Sequence, residues 1–259
     1  MADTGDHRIR LAVEGPLATI TIARPEKFNA LDHPMVLALE RAAHMIDADG
    51  AVRAAIITGE GVKSFCAGGD IEAWSALHPA DFALAWVRVG HRAFDALARL
   101  RQPLIAALNG HALGGGLELA ATADFRIAED HVKIGSPETG LGIIPGWSGT
   151  QRTVNRFGPQ LVRRMALLGE VFTAEQSLGL GLVDALAPQG GGLAAATAMA
   201  RRLMARGPLA TQATKMLINA AEGEELHRPL EALAGGLAAG SEDLRKGVDA
   251  FRQKRTPDF

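Results

Sequence analysis

Tyrosine is absent from this chain, cysteine occurs once, and no stretch approaches the roughly 20 consecutive apolar residues of a membrane span. Without a phenol, no mechanism that needs one is open. A lone Cys66 excludes an intramolecular disulfide and fits a reducing compartment. The opening "MADTGDHRIR" has no apolar core of a secretory signal, so the expected location is cytoplasmic. Charge of one sign is also missing: 27 Lys and Arg face 29 Asp and Glu, a net charge of -2. That balance gives no global field for nucleic acid or an anionic membrane, and an anionic ligand must be met locally. The eight histidines are scattered without metal-ligand spacing, so no metal is expected.

What is present is apolar: 47% hydrophobic residues over 259 positions, enough for a large buried core. "RIRLAV" and "LATITIA" alternate about "EGP", the pattern of a hairpin. "HPMVLALERAAHMIDADG" has helical periodicity, with Asp32 as N-cap and Gly50 beyond its end. "VRAAIITG", "PLIAALNG" and "DFRIAE" read as strands, with helices over residues 80 to 100 and from Gly114 to Ala123. Strands alternating with helices call for a mainly parallel sheet under helical cover. From about Ser148 the pattern is helix after helix, broken at Gly179 to Ala187, where "GLVDALA" is a last strand or a turn. "PQGGG" is the best linker, dividing an α/β core over residues 1–190 from a helical region over 191–259.

Several glycine motifs fail. A G-x-G-x-x-G fingerprint from Gly114 meets Leu119, and from Gly110 it meets Ala112. "GEGVKS" puts Val62 where a phosphate loop needs glycine, and "GWSGT" puts Thr150 where a nucleophile elbow needs one.

Two segments nevertheless share a layout. "VRAAIITG" leads into "EGVKSFCAGGDIEAW", and "PLIAALNG" leads into "GHALGGGLELA". Each places glycines between a strand end and a helix start, where free N–H groups point outward; two such amides on one carbonyl oxygen make an oxyanion hole. The competing use is tight turning and close packing. Glu118 lies among Leu117, Leu119, Ala120 and Ala121, with no wet face. Such a carboxylate must be ion-paired, with Arg126 for instance, or hydrogen-bonded, or neutralised by a raised pKa. Glu138 follows Pro137 in a loop, as an exposed turn acid or as the second member of an acid/base pair with Glu118.

"SFCAGGDI", "NGHALGGGLELA", "ADFRIA" and "SPETGLGIIPGWSGTQR", in this order and followed by "SEDLRKGVDAFRQKR", resemble the enoyl-CoA hydratase/isomerase (crotonase) superfamily from about Leu17 to Arg255. The resemblance implies an α/β spiral of repeated ββα units with a C-terminal helical trimerisation region. It further implies a hydratase adding water to a trans-2-enoyl-CoA, with no cofactor beyond the coenzyme A of its substrate. The amides of Gly69 and Gly115 would hold the thioester oxygen, and Glu118 and Glu138, 20 residues apart as in hydratases, would handle the water and the proton at C2. Arg24 and Lys27 match the region that meets the coenzyme A phosphates and pantetheine, and Ala67, Gly69, Asp70 and Ile71 the stretch lining that arm. Phe251 and Lys254 match residues that reach the coenzyme A of a neighbouring subunit, so a homotrimer or a dimer of trimers is implied, with no nucleic acid or membrane partner.

Two departures concern the acyl group. Gly69 stands where many members have alanine, and Trp147 where hydratases usually have a small residue; Trp74 follows the first glycine loop. Trp74 and Trp147 either pack helices or wall the acyl pocket, and in the second case a short, bent or aromatic acyl group is expected. The rival activities are a Δ3,Δ2-enoyl-CoA isomerase and a specialised dehydratase such as carnitinyl-CoA dehydratase. A non-catalytic RNA-binding or scaffold relative has neither a basic stripe nor an aromatic one behind it.

Overall fold

The computed structural model describes residues 2–225 and 227–259. Strands β1 (Ile9–Glu14) and β2 (Leu17–Ile22) form the expected antiparallel hairpin, Ile9 opposite Ile22. Their alternation turns Ile9, Leu11, Ala18 and Ile20 into the core. Onto β2 are added, all parallel, β3 (Ala54–Gly59), β5 (Leu104–Leu108), β7 (Phe125–Glu129) and β10 (Ala185–Ala187). β5 (LIAAL) and the start of β3 (AAII) are continuous apolar runs because both faces of the sheet are covered there. "GLVDALA" thus ends in a strand.

A second sheet escaped the pattern reading. It contains β4 (Ser64–Cys66), β6 (His111–Leu113), β8 (Lys133–Gly135) and β9 (Val171–Thr173), in that order, with only β9 antiparallel. Three residues are too few to establish a period of two, and β9 interrupts what the sequence presents as helix after helix between Ser148 and Gly179.

The helices are α1 (His33–Ala48), α2 (Ile71–Trp74), α3 (Pro79–Asp81), α4 (Arg88–Ala98), α5 (Gly115–Ala120), α6 (Gly149–Phe157), α7 (Pro159–Leu168) and α8 (Ala174–Gly179). After them come α9 (Gly192–Met204), α10 (Pro208–Ala221), α11 (His227–Ala239) and α12 (Glu242–Arg252). Asp32 caps α1 as expected, accepting the Met35 N–H at 3.2 Å. Between α3 and α4, Phe82–Val87 forms a π-helical stretch, and this carries Trp86 inward. Among the described residues no helix is long and apolar enough to cross a membrane.

The chain passes three times from the large sheet to the small one: β3 to β4, β5 to β6 and β7 to β8, with helix following each time. Because β4, β6 and β8 are parallel neighbours, the segments after them leave from one end of the small sheet. Those segments are Ala67–Asp70, Gly114–Gly115 and Ser136–Glu138. This topology, of the ββα spiral kind, gathers three sequence-distant loops into one place.

One face of the large sheet packs under α1 and α4, through Leu39, Ala42, Ile46, Phe94 and Leu97. On the other, Ala196 and Ala200 of α9 rest on Ala54, Ile56, Ile105, Ala107 and Ile127. The "PQGGG" turn entering α9 is tied down: the N–H groups of Gly190 and Gly192 donate to buried Glu129 at 2.8 and 3.1 Å.

Gly116 locks α5 against β4. A Cβ there would stand 1.8 Å from the Cys66 carbonyl oxygen, which belongs to a buried strand and cannot swing aside. Alanine favours a helix over glycine by about 1 kcal/mol, but overpacking costs about 1–3 kcal/mol or more. Gly116→Ala is therefore expected to lower the urea midpoint of unfolding, against the sign of helix propensity.

Candidate active site

The three loops at the end of the small sheet border a cavity of about 130 Å³, whose walls include Gly69, Gly115, Glu118, Glu138, Trp74 and Trp147. Both glycine loops fall where the strand-to-helix reading puts them. They touch: a Cβ at Gly68 would lie 2.9 Å from the Gly115 nitrogen, and one at Gly115 would lie 3.1 Å from the Gly68 Cα. Gly68 also has φ +96°, which a side chain rarely tolerates. Leu31 runs beside the first loop, donating to the Gly68 carbonyl and accepting from the Asp70 N–H, both at 2.8 Å, so the intervening Gly69 N–H points away from that partner. Gly115 opens α5, where an N–H has no acceptor within the helix. Two amide donors from separate loops thus border one space.

Glu118 lies in α5 and is buried at 4% exposure. It pairs with no arginine among the described residues. Arg126 is used elsewhere, donating to the carbonyls of Ala123 and Leu182 and approaching Asp184 at 3.4 Å. What meets Glu118 is the turn before α6: the Trp147 N–H donates to its Oε1 at 2.9 Å. Burial raises its pKa to about 7, the Trp147 amide opposes that rise, and the nearby charge of Glu138 adds to it. The carboxyl is thereby placed to gain or lose a proton near neutrality.

That turn has its own support. Ser148 has φ 64°, uncommon for a residue with a side chain, and its Oγ donates to Asp95 of α4 at 3.2 Å. Buried Arg152 holds Asp95 at 2.7 Å and Glu224 at 2.6 Å. Gly149 leaves room for the acid, since a Cβ there would stand 2.0 Å from Glu118 Oε1.

Glu138 is half-buried at the start of a 3-10 turn, Glu138–Leu141. Its Oε2 accepts from the Ser136 hydroxyl at 2.8 Å, while its Oε1 is buried without a hydrogen-bond partner among the described residues. Burial raises its pKa and the Ser136 hydroxyl opposes this. A Cβ at Gly114 would lie 3.2 Å from Oε1, so the carboxyl sits against the second glycine loop. The two glutamates therefore share one cavity and influence each other's charge.

Both tryptophans wall the cavity. Trp74 ends α2, edge-on to Phe82 with centroids 5.7 Å apart. Trp147 is buried between Trp86 and Phe94, at 5.1 and 5.2 Å. A Cβ at position 69 would lie 2.8 Å from Trp86 Cζ2 and 3.3 Å from both Trp147 Cη2 and Trp74 Nε1. Three indoles converging there explain why this chain carries glycine rather than alanine.

Ala67 and Ile71 also border the cavity, but Asp70 turns away to cap α2, accepting the Glu72 N–H at 3.1 Å. Arg24 is engaged internally: its guanidinium lies 2.8 Å from Asp70 and 3.7 Å from Asp32 and donates to the Ala30 carbonyl. Lys27 is at the surface, paired with Glu72 at 2.8 Å. Phe251, in α12, is 84% exposed, and neither it nor Lys254 borders this cavity. Cys66 is buried, and burial pushes its thiol up to about 12, away from nucleophilic use.

Pattern reasoning overlooked Trp86, Gly90, Gly149 and Ser136. Only the serine left a trace, two positions before the glutamate it touches.

Residues 13–259 match the sequence profile described as Enoyl-CoA hydratase/isomerase. The chain is 37% identical over 256 residues to crotonyl-CoA hydratase of Syntrophomonas wolfei, covering 97% of each chain. It is 33% identical over 251 residues to short-chain-enoyl-CoA hydratase of Clostridium acetobutylicum, covering 96% of each. The crystal structure of enoyl-CoA hydratase from Bacillus anthracis superposes with a TM-score of 0.81 at 31% identity, covering 98% of this chain and 99% of that one.

Proposed function

This chain belongs to the enoyl-CoA hydratase/isomerase family, and from that premise we propose that it is a hydro-lyase adding water across the 2,3 double bond of a trans-2-enoyl-CoA. The observation that carries the reading is the pair of carboxyls, Glu118 and Glu138, in one cavity that Gly69 and Gly115 also border.

The thioester oxygen lies between the N–H groups of Gly69 and Gly115. As water attacks C3, the π electrons of the double bond shift towards that oxygen as an enolate, and the amides act most strongly on the charge that develops. Glu118 takes the proton of the attacking water. Its Oε1 already accepts an N–H, which favours the ionised form. C2 receives its proton from Glu138, whose burial favours the protonated form. The cycle leaves a proton on Glu118 and none on Glu138, and transfer between them restores the start. The charge of Glu138 bears on the titration of Glu118, so the apparent value read in turnover belongs to the pair.

The coenzyme A moiety runs past Ala67 and Ile71. Lys27 meets its phosphates by leaving Glu72, since an exposed pair of this kind is worth little. Arg24 acts indirectly, by fixing Asp70 and with it the first glycine loop. The helices over 191–259 form the assembly region of a trimer or dimer of trimers, a reading supported by Leu237 and Phe251, 81% and 84% exposed in the single chain. Cys66 as the only, buried thiol suits the cytoplasm.

The deciding experiment is turnover of crotonyl-CoA, followed by loss of the conjugated thioester absorbance, beside a 3-enoyl-CoA. Hydration of the 2-enoyl compound is expected; isomerisation of the 3-enoyl compound without hydration would overturn the assignment. Gly149→Ala supplies a finer check. Its methyl group displaces the Glu118 carboxyl, and a misplacement near 1 Å costs on the order of 10²-fold in turnover.

A further inference from the structure

The indole of Trp147 spans the site from wall to wall. At one edge it lies on α4, where a Cβ at Gly90 would stand 2.0 Å from both Cδ1 and Nε1, so only a hydrogen fits beneath it. At the other edge, Cε3 and Cζ3 come within 3.2 Å of a Cβ built at Gly115. Trp86 packs against it at a tilt and Phe94 meets it in an edge-to-face contact, and it is 3% exposed. Its Nε1 is buried without an acceptor among the described residues, so the ring is held by shape and not by a hydrogen bond. A ring wedged on four sides cannot swing aside for a substrate. What it leaves is a small cavity of about 130 Å³.

The carbonyl end of any thioester bound between Gly69 and Gly115 takes part of that space. The remaining lining is apolar, with Trp74, Phe82, Trp86 and Trp147 beside Leu141, Ile143 and Ile144. We propose that Trp147, seated on Gly90, is a specificity-determining residue that ends the acyl site and confines the enzyme to thioesters of short acyl groups, about four carbons long. This rests on the hydratase reading for its substrate class, while the wedge itself is independent of the reaction.

The test is a chain-length series in two readouts. In kcat/KM for trans-2-enoyl-CoA of four, six, eight and ten carbons, the wild type is expected to fall on the order of tenfold or more per added pair of carbons. Trp147→Ala is expected to raise the ratio of eight-carbon to four-carbon activity on the order of 10²-fold, with Trp147→Phe between the two. Dissociation constants for butyryl-CoA and octanoyl-CoA, which carry no double bond and need no turnover, are expected to favour butyryl-CoA in the wild type and to reverse in Trp147→Ala. A flat chain-length profile in the wild type, or a ratio unmoved in the folded variants, overturns the proposal. If Trp147→Ala does not fold, the wild-type series and Trp147→Phe decide it. No hydration of any length, with the butyryl preference intact, would remove the hydratase reading and keep the wedge; equal hydration of all lengths would do the reverse.

Discussion

Glu118→Gln is expected to lower kcat for crotonyl-CoA hydration by about 10²–10⁴-fold, the range over which a positioned acid or base contributes. Glutamine keeps the shape and can still accept the Trp147 N–H, so the loss isolates the proton transfer. Glu138→Gln is expected to lose activity over the same range, because each carboxyl handles a different proton of one addition. The two losses are not additive: once either acid is gone, the addition no longer runs by the paired route. Stopped-flow turnover on the two single variants and the double variant checks this. Near-normal hydration in both single variants would remove the pair from the mechanism. In the wild type, kcat/KM should rise with pH through about 7 as Glu118 ionises, an apparent value belonging to the pair.

The same substitution is expected to stabilise the protein, and by an amount that depends on pH. Burial raises the Glu118 pKa from the ordinary glutamate value of 4.5 to about 7 in the folded chain. Between these values the folded state binds more protons than the unfolded state, so stability falls as pH rises. The contribution is fully present below about 4.5 and is lost as pH climbs through about 7. At 1.36 kcal/mol per pKa unit, the ionised acid costs about 3 kcal/mol at alkaline pH. Glu118→Gln removes that charge, so urea unfolding at fixed protein concentration should find the variant more stable than wild type at pH 8.5 by up to about 3 kcal/mol. The gap should close towards pH 4.5. Parallel stability curves across this range would mean that Glu118 is not the buried acid described. A catalytic group that weakens its own fold is the usual stability–activity compromise.

Much of this was legible in the chain itself. The hairpin, α1 with its Asp32 cap, and β3, β5 and β7 follow from alternation, periodicity and capping, all of which depend on neighbouring residues. The small sheet was not legible. Its strands have three residues each, and their pairing is decided by partners some 20 to 50 positions away, such as Ser64 with His111 and Ala112 with Ile134. The π-helical stretch at Phe82–Val87 was likewise hidden, because the composition of "FALAWV" suits an ordinary helix and only packing under Trp147 turns Trp86 inward.

For the site, the sequence already marked Glu118 as dry, since its apolar neighbours on a short helix offer the carboxylate no polar face, and the turn at Trp147 to Gly149 is what closes over it. The sequence also determined that glycines would free amides at two strand ends, since that is a property of local backbone. Only the tertiary structure decided that the two amides border one space, that Glu138 arrives beside Glu118, and that Arg24 is already engaged by Asp70. Encounters of this kind depend on the parallel order of β4, β6 and β8 and on a side chain of one loop fitting a notch in a distant helix, as Trp147 does at Gly90. No window of sequence contains both halves of such a contact, so its geometry exists only once the chain has closed on itself.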